Sequence, residues 1–467
     1  MTIPTQSRFS VYPGRPLSPD ESRISASPFH VIARVLLIAT ICGAPWAFGA
    51  VQPWAWGTLL VLASLTLVLW AVGCTHRGVL RISLSPLYWP FLAFLILAVL
   101  QLLTGWSADH EATREAVLKI VTNLAFFFLV GQLLNARPEN GRALEWLGLI
   151  VTLLAFALSV LGLAQIFYGS PRSIYWTYTP AIVTAIFGPY VNHNNYAGLM
   201  EMLIPISVAY VLSRPGNSIL RFLLWCAVAL VIISVWISGS RGAAIVLLME
   251  GVLLGVILIG HWPRGAPLRL LALLLGIVLF SSVVFSWLVS SGRVGGRAWS
   301  VFETNQSLAG NLGDRWRVGI DTLHMARSHP WTGVGVGCFE YVFPNYMTFP
   351  MDLHWTHAHD DILEATAETG LPGVVMMVVA FVLFIRVGFR HIKERLQYGW
   401  GWIQMGAVVG AVGLFFHSFV DFNLRVPANA AWFVVCLAIA THPGPAQRDR
   451  RMIAAGSKPG RSREFLT

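Results

Sequence analysis

The stretch that decides how this chain is interpreted is MDLHWTHAHDDILEATAETGLPG, residues 351–373, which lies between long hydrophobic runs. It contains three histidines, five carboxylates and no lysine or arginine. Asp360, Glu364 and Glu368 follow one another at four-residue spacing, which places them on one stripe of a helix. The GLPG ending predicts that this helix stops there. The stretch is therefore a polar segment that directly precedes another hydrophobic run.

Composition indicates where these polar groups lie. Hydrophobic residues make up 56% of the chain, charged residues only 12%, and the mean hydropathy is +0.65. Soluble domains carry about 25% charged residues. Because apolar runs of about twenty residues recur throughout, the sequence predicts an all-α polytopic membrane protein.

The hydrophobic segments and the basic residues predict a topology. About twelve spans are expected, near residues 31–50, 57–74, 86–104, 116–135, 146–168, 196–212, 219–238, 242–260, 268–290, 372–386, 403–417 and 428–441. Most of the 32 basic residues then fall on one side, together with both termini. The positive-inside rule makes that side cytoplasmic. The net charge of +10 is therefore explained by topology, and no nucleic-acid partner is predicted.

The same segments predict a domain organisation in five parts. The expected parts are a disordered cytoplasmic tail (1–30), transmembrane helices one to nine (31–290), a large periplasmic loop with the catalytic motif (291–371), transmembrane helices ten to twelve (372–441) and a basic cytoplasmic tail (442–467). The periplasmic loop is expected to form a small helical cap, with a helix over residues 314–328. The five cysteines show no CxxC pair and no disulfide framework.

The histidines of the opening stretch allow three interpretations. A metal site is one, but the i, i+4 histidine pair of a zinc-binding helix is missing. A solvated acidic helix start is the second. A general base fits better, because neighbouring carboxylates favour and orient a protonated imidazole. His359 is predicted as this base, with His357, Asp360 and Glu364 beside it, and no metal or cofactor is predicted.

Two arginine-containing segments are placed on the same side of the membrane. Arg241 lies in SGSRG between two spans, where its guanidinium is suited to bind an anionic substrate. The alternative is that it only contacts a phosphate group of the surrounding lipid. Arg315 and Arg317 lie at the start of the cap helix, where a positive charge opposes the helix dipole. An anionic partner explains them better than helix stability does. A surface pair with Asp314 or Asp321 is the alternative.

Two further polar groups are predicted on that side. The segment FGPYVNHNNYAG carries four side chains suited to sugar hydroxyls: Asn192, His193, Asn194 and Asn195. The alternative is that Asn195 simply caps the sixth span. His417, Asp421 and Arg425 follow the eleventh span. Asp421 is assigned to substrate binding, and a structural ion pair at these residues is the alternative.

Two arginines and a histidine beside lipid describe a plausible reaction. A lipid-linked diphosphate gains negative charge as its bond to a sugar breaks, and arginines stabilise that charge by bidentate hydrogen bonds. A histidine, with an ordinary pKa of about 6.5, accepts the proton of an attacking hydroxyl. The energy would come from the activated lipid.

At these residues the chain resembles the O-antigen ligase/polymerase family of bacterial envelope glycosyltransferases. The family motif is reproduced by His359 and Asp360, followed after nine residues by Gly370 and after two more by Gly373. Asp360 stands where the family usually has an amide side chain. The SGSRGA element matches the family's Ser-Arg-Gly element. Arg315 resembles the loop arginine, although Gly319 stands where the family often has Trp. The Asn-rich element before the sixth span also resembles the family, and the resemblance covers roughly residues 180–430.

The resemblance implies a GT-C-like bundle in the bacterial inner membrane and metal-independent, inverting transfer on the periplasmic face. His359 would be the base, and Arg241 and Arg315 would hold the diphosphate. The implied partners are an undecaprenyl-diphosphate-linked glycan donor, a glycolipid or glycan acceptor such as lipid A–core, and membrane lipids. A repeat-unit polymerase for O-antigen, capsule or exopolysaccharide and a protein-glycosylating transferase are alternatives. A lipid-linked glycan transporter would instead need charges along a path through the spans.

Overall fold

The structure is a computed structural model that describes residues 27–78, 80, 82–134, 141–168, 173–180, 186–214, 218–259, 308–349, 355–390 and 392–441. Within these ranges the regular structure is helical, and the only extended pairings are two isolated bridges. The prediction of an all-α protein is confirmed for this part of the chain. The predicted span near residues 268–290, His354, residues 1–26 of the amino-terminal tail and the whole carboxy-terminal tail lie outside the described residues.

The helices follow the predicted spans closely. In chain order they are α1 (Pro28–Gly43), α2 (Pro53–Arg77), α3 (Tyr88–Thr104), α4 (His110–Leu133), α5 (Gly141–Tyr168), α6 (His193–Leu212), α7 (Ile219–Ser238), α8 (Arg241–Leu258), α9 (Leu308–Ser328), α10 (Phe339–Val342), α11 (Asp361–Gly388), α12 (Ile392–Arg395), α13 (Gly399–His417) and α14 (Pro427–Thr441). In the described part, nine helices are long and apolar enough to cross a membrane. Helices α3 and α14 are apolar but shorter than these nine. The chain is therefore a multi-pass membrane protein. The predicted number of spans, about twelve, is larger than the nine found in the described part.

Helices α6 and α13 form the centre of the bundle. Residues 195–211 of α6 and 83% of the apolar window of α13 are buried inside the protein. The two helices approach closely because α13 carries glycines where they meet: a Cβ on Gly406 would lie 2.6 Å from the Cα of Ile206, and one on Gly410 would lie 2.8 Å from the Cα of Met202. Small residues allow such close packing in membranes, where apolar burial alone does not draw helices together.

The start of α6 differs from the prediction. The helix begins at His193, and its cap is Asn192, whose Oδ1 accepts a hydrogen bond of 2.8 Å from the backbone N–H of Asn194. The alternative that Asn195 caps this span is therefore wrong. Asn192 takes the capping position because its backbone is extended (φ −118°), as an N-cap requires.

Helix α11 is interrupted at Gly370, as predicted. Gly370 adopts φ 64° and ψ −164°, a conformation essentially restricted to glycine. Three backbone hydrogen bonds join this break to the Gly-rich turn that follows α9: Val334 to Ala367 O (3.1 Å), Gly335 to Glu368 O (3.1 Å) and Leu371 to Pro330 O (2.7 Å). The first half of α11 is thus held at a fixed angle to the membrane-spanning half.

The cap above the bundle is helical, as expected. Helix α9 begins at Leu308, earlier than predicted, and ends at Ser328 as predicted. It packs on the first half of α11 through a separate small cluster of buried residues: Val318, Met325, Ala326, Val334, Cys338, Phe339, Phe343, Phe349, Ala358 and Ala367. This cluster brings α9 and α11 together at one end of the bundle.

Candidate active site

The segment between α13 and α14, residues 418–426, lies at one end of the bundle, and we call it the site loop. Its residues contact three separate elements. Val420 accepts a hydrogen bond from Arg315 of α9, Asp421 faces His359, and Arg425 reaches the acids of α11. The site loop therefore joins the predicted histidine to the predicted loop arginine.

His359 is held in an unusual conformation. Its φ of 55° lies in the left-handed region, which costs a non-glycine residue on the order of 1 kcal/mol. The ring stands edge-on to Phe422 at 4.9 Å and to Trp355 at 5.5 Å between centroids. Its Nδ1 lies 3.3 Å from Oδ1 of Asp421, so the opposite nitrogen, Nε2, is the one left to meet another molecule.

Asp421 is the buried partner of His359. Burial alone raises the pKa of this carboxyl, but the hydrogen bond and charge of His359, with the charges of Arg315 and His417, lower it well below its ordinary value. Oδ1 also accepts the backbone N–H of Phe422 at 2.8 Å. Oδ2 is buried and has no hydrogen-bond partner among the described residues. Asp421 is therefore an anion whose main side-chain partner is one imidazole.

His357 has a different carboxylate. Its Nδ1 lies 3.1 Å from Oε1 of Glu364, and Oε2 of the same group accepts the backbone N–H of Ala358 at 2.7 Å. The ring of His357 stacks on Phe422 at 4.6 Å with an interplanar angle of 28°. Glu364 is thus buried with both oxygens bonded inside the protein.

Arg425 supplies the cation that the opening stretch lacks. Its guanidinium lies 2.7 Å from Glu368, 3.2 Å from Glu364 and 4.0 Å from Asp361. Burial lowers the pKa of Arg425, but the three carboxylates raise it overall. One arginine from the site loop therefore contacts three acids of α11, and Glu364 and Glu368 are the two of them that belong to the predicted stripe.

The structure shows ion pairs at His417, Asp421 and Arg425, in agreement with the alternative of a structural ion pair there. Each of the three pairs with a residue from another element: His417 with Glu201, Asp421 with His359, and Arg425 with the acids of α11. They are spaced four residues apart, but the site loop leaves the helical path after His417, so the three side chains diverge.

Asp360 caps α11. Its Oδ1 accepts the backbone N–H groups of Ile362 (3.0 Å) and Leu363 (2.9 Å). Burial raises the pKa of Asp360, and these two hydrogen bonds oppose the increase. A carboxylate caps a helix as well as an amide does. This explains why the chain tolerates Asp at the position where the motif usually has an amide.

The predicted arginines separate into two that lie at the site and one that does not. Nη1 of Arg315 donates to the carbonyl of Val420 at 3.1 Å. Arg241 is the first residue of α8 and exposed, and the charges of Arg241 and Arg315 both act on His193. Arg317 is also exposed and pairs with no carboxylate among the described residues. The alternative pair with Asp321 is wrong, since that carboxylate accepts from Thr348.

The Asn-rich segment lies beside these arginines. His193 bonds to the backbone of Ser238 through one ring nitrogen, and its Nδ1 has no partner among the described residues. The carbonyl of Asn195 accepts from Asn429 at 2.8 Å, and its side-chain oxygen is unpartnered within the described part. Asn194 is half-buried. The segment thus presents free hydrogen-bonding atoms close to Arg241 and Arg315.

Comparison with known families agrees with this geometry. Residues 226–378 match the family model described as O-antigen ligase. Over this range the chain is similar to the O-antigen ligase family. No curated protein matches the chain.

The match covers about a third of the chain. It includes Arg241, Arg315 and the motif that begins at His359. It does not include the Asn-rich segment or the site loop. The structure brings those two segments to the matched residues through the contacts described above.

Two contacts near the site were not predicted from the sequence. The first is the role of Arg425, for which the signal was available: five acids without a cation in residues 351–373 require one from elsewhere. The second is the buried pair of His417 and Glu201, with 2.8 Å between Nδ1 and Oε1. An acid inside an apolar span is itself a sign of a partner. Charged groups are thus not confined to one face, because Glu201 and Glu250 lie within the bundle.

Proposed function

We propose that this protein is a glycosyltransferase of the bacterial inner membrane that moves a polysaccharide from undecaprenyl diphosphate to an acceptor hydroxyl of lipid A–core. Transfer would take place at the periplasmic face, without a metal and with inversion, and both termini would be cytoplasmic. The single observation that carries the proposal is the His359–Asp421 pair, with Nδ1 and Oδ1 3.3 Å apart, beside Arg315 at the end of a membrane bundle.

In this proposal His359 is the base. With its Nδ1–H donating to Asp421, the imidazole carries its free electron pair on Nε2. Nε2 takes the proton of the acceptor hydroxyl as its oxygen attacks the anomeric carbon. The anionic Asp421 then stabilises the imidazolium that forms, because its low pKa keeps it ionised at any working pH.

Arg241 and Arg315 receive the leaving group. As the bond between the anomeric carbon and the diphosphate oxygen breaks, the electron pair leaves with undecaprenyl diphosphate and its negative charge grows. Guanidinium groups placed beforehand at that position stabilise the transition state more than the ground state. Arg241 is exposed at the start of α8 and forms no carboxylate pair in the described part of the chain, so its charge is available to a diphosphate.

The remaining predicted residues have holding or contact roles in this proposal. Asp360 starts α11, and Glu364 fixes His357 and Arg425, so neither carboxylate has to touch the glycan. The half-buried side chains of His193 and Asn194 are assigned to contact sugar hydroxyls, whereas Asn195 is buried and bonds to Asn429 within the bundle. Arg317 lies two residues beyond Arg315 and stays outside this set.

The acceptor is tested by reconstitution. Purified protein in vesicles is given undecaprenyl-diphosphate glycan, with and without lipid A–core, and products are separated by size. We expect a product only when lipid A–core is present. A ladder of longer glycans without the core would show a polymerase instead, and glycolipid crossing the vesicle without any product would show a transporter.

A matched pair of variants tests the leaving-group assignment in the same assay. Arg315→Gln should lower turnover by about 10²–10³-fold, the effect of removing one donor to a developing anion. Arg317→Gln, two residues away on the same helix and exposed, should leave turnover unchanged. Equal effects of the two substitutions would contradict the assignment. Chelator treatment should leave turnover intact.

A further inference from the structure

Glu250 is a buried acid that the proposed reaction does not use. It lies within the apolar helix α8, is 3% exposed, and neither of its carboxyl oxygens has a hydrogen-bond partner among the described residues. Ionisable residues inside a membrane bundle are costly and usually face a partner or a pathway. The absence of any bonded partner makes Glu250 unlike the other buried acids near it.

The groups that face Glu250 come from three helices. From α6 comes Glu201, whose charge interacts with that of Glu250. From α13 comes the backbone of Gly413, so close to Oε1 that a Cβ at position 413 would overlap it. From α14 comes the thiol of Cys436, which also senses the charge of Glu250. None of these groups is a cation.

A small cavity of about 40 Å³ opens beside the carboxyl group of Glu250. Its other walls are mostly aliphatic, and they include Pro205 of α6. Because proline has no N–H, the carbonyl four residues earlier, that of Glu201, loses its helical donor. A Cβ on Gly410 would lie 3.2 Å from that carbonyl oxygen. A water molecule needs at least about 10–15 Å³ of such space, so the cavity is large enough for one.

The nearby charges balance only in one protonation state. His417 lies 2.8 Å from Glu201, and as an imidazolium it neutralises that one carboxylate. An ionised Glu250 would then leave one negative charge without a partner in the interior of the bundle. A protonated Glu250 is neutral, and its O–H is a hydrogen-bond donor beside the cavity.

We propose that Glu250 binds a proton inside the bundle and, with the Glu201–His417 pair, forms an intramembrane proton-binding site below the site loop. His417 is the last residue of α13 and leads into the site loop. Its Nε2 lies 2.8 Å from where a Cβ on Gly242 would be, next to Arg241. Loss of the proton from Glu250 would place a second anion near the imidazole that joins α6, α8 and the site loop.

Infrared spectroscopy of the full-length protein in lipid bilayers tests this proposal. A protonated carboxyl group has a carbonyl stretch well separated from that of a carboxylate, and the band shifts in D₂O. At neutral pH we expect the wild type to show protonated carboxyl bands, of which Glu250→Gln removes one. Glu111→Gln, which changes an exposed acid paired with Arg114, should remove none.

Two outcomes would overturn the proposal. One is a wild-type spectrum at neutral pH without any protonated-carboxyl band, a result that needs no variant to fold. The other is a Glu250→Gln spectrum with the full wild-type intensity of these bands. Asp360→Asn and Asp361→Asn identify the contributions of the two other acids near the start of α11. The measurement does not use glycan transfer, so its outcome is independent of the proposed function.

Discussion

Two histidines that are two residues apart, His357 and His359, each pair with a buried carboxylate, and the two carboxylates differ in their other contacts. The His357–Glu364 and His359–Asp421 distances are similar, 3.1 and 3.3 Å, and the imidazoles are 30% and 21% exposed. Glu364, however, also binds Arg425 at 3.2 Å, whereas Asp421 has an oxygen without a partner among the described residues. We therefore propose that the second partner of the carboxylate, rather than the exposure of the imidazole, decides which of the two histidines acts as the base.

The rings of the two histidines repeat this difference. Both contact Phe422, but His357 lies nearly flat on it and His359 meets it edge-on. A stacked ring packed beside a neutralised carboxylate is fixed in place. An edge-on ring with an unshared anion behind it can take up a proton and have the resulting charge stabilised.

The largest expected effect comes from removing each imidazole. His359→Ala should lower the rate of glycan transfer by at least about 10²–10⁴-fold, the usual contribution of a general base. His357→Ala should lower it far less, because that imidazole only joins Glu364 to Phe422. Reconstituted turnover, with folding checked by gel filtration and circular dichroism, measures both. Equal losses would remove the distinction between the pairs.

Substitution of the two carboxylates, Asp421 and Glu364, tests the same difference between the two pairs. Asp421→Asn keeps the shape of the site but removes the charge behind His359, and kcat should fall by about 10²-fold or more with little change in KM. Glu364→Gln leaves that charge in place and should mainly reduce stability. A kcat loss for Glu364→Gln that matches the loss for Asp421→Asn would contradict the assignment.

Arg425 separates stability from catalysis. Arg425→Ala leaves Glu364, Glu368 and Asp361 buried without their cation, which costs about 3–5 kcal/mol for a broken buried pair. Thermal unfolding in detergent should therefore shift to clearly lower temperature. The matched control is Arg317→Ala, an exposed residue with no pair in the described part, which should unfold like the wild type.

The smallest expected effect is a dependence of stability on acid pH. The pKa of Asp421 is lowered on folding, so its ionised form adds stability that is fully present above its unfolded pKa of about 3.9 and is lost as the pH falls below that value. The wild type should therefore lose melting temperature more steeply than Asp421→Asn as the pH falls from about 5 to 3. Parallel curves would show that Asp421 is not ionised and paired in the folded protein.

Much of this arrangement was predictable from the sequence, and the reasons are local. Apolar runs define the spans, Gly370 has no substitute at its backbone angles, and the spacing of residues 357–368 places histidines and acids together. The partners were not predictable. Asp421 is 62 positions from His359, and no spacing rule connects two loops that meet only because α11 and α13 pack in one bundle.

The predicted cap of α6 and the unpredicted partner of Glu201 also depended on tertiary structure. Asn192 and Asn195 are equally good caps by residue type, and only the extended backbone at Asn192 decides between them. Glu201 was visible inside an apolar span. Its pairing with His417 depends on the contact between α6 and α13, which glycines such as Gly406 and Gly410 permit.

The most direct test of the central claim, that His359 rather than His357 is the base, is chemical rescue. Turnover of His359→Gly and His357→Gly is measured with increasing concentrations of free imidazole. The account predicts that His359→Gly is nearly inactive and regains transfer with imidazole, while His357→Gly is active and unaffected. Wild-type turnover of His359→Gly before imidazole is added, or rescue confined to His357→Gly, would contradict it.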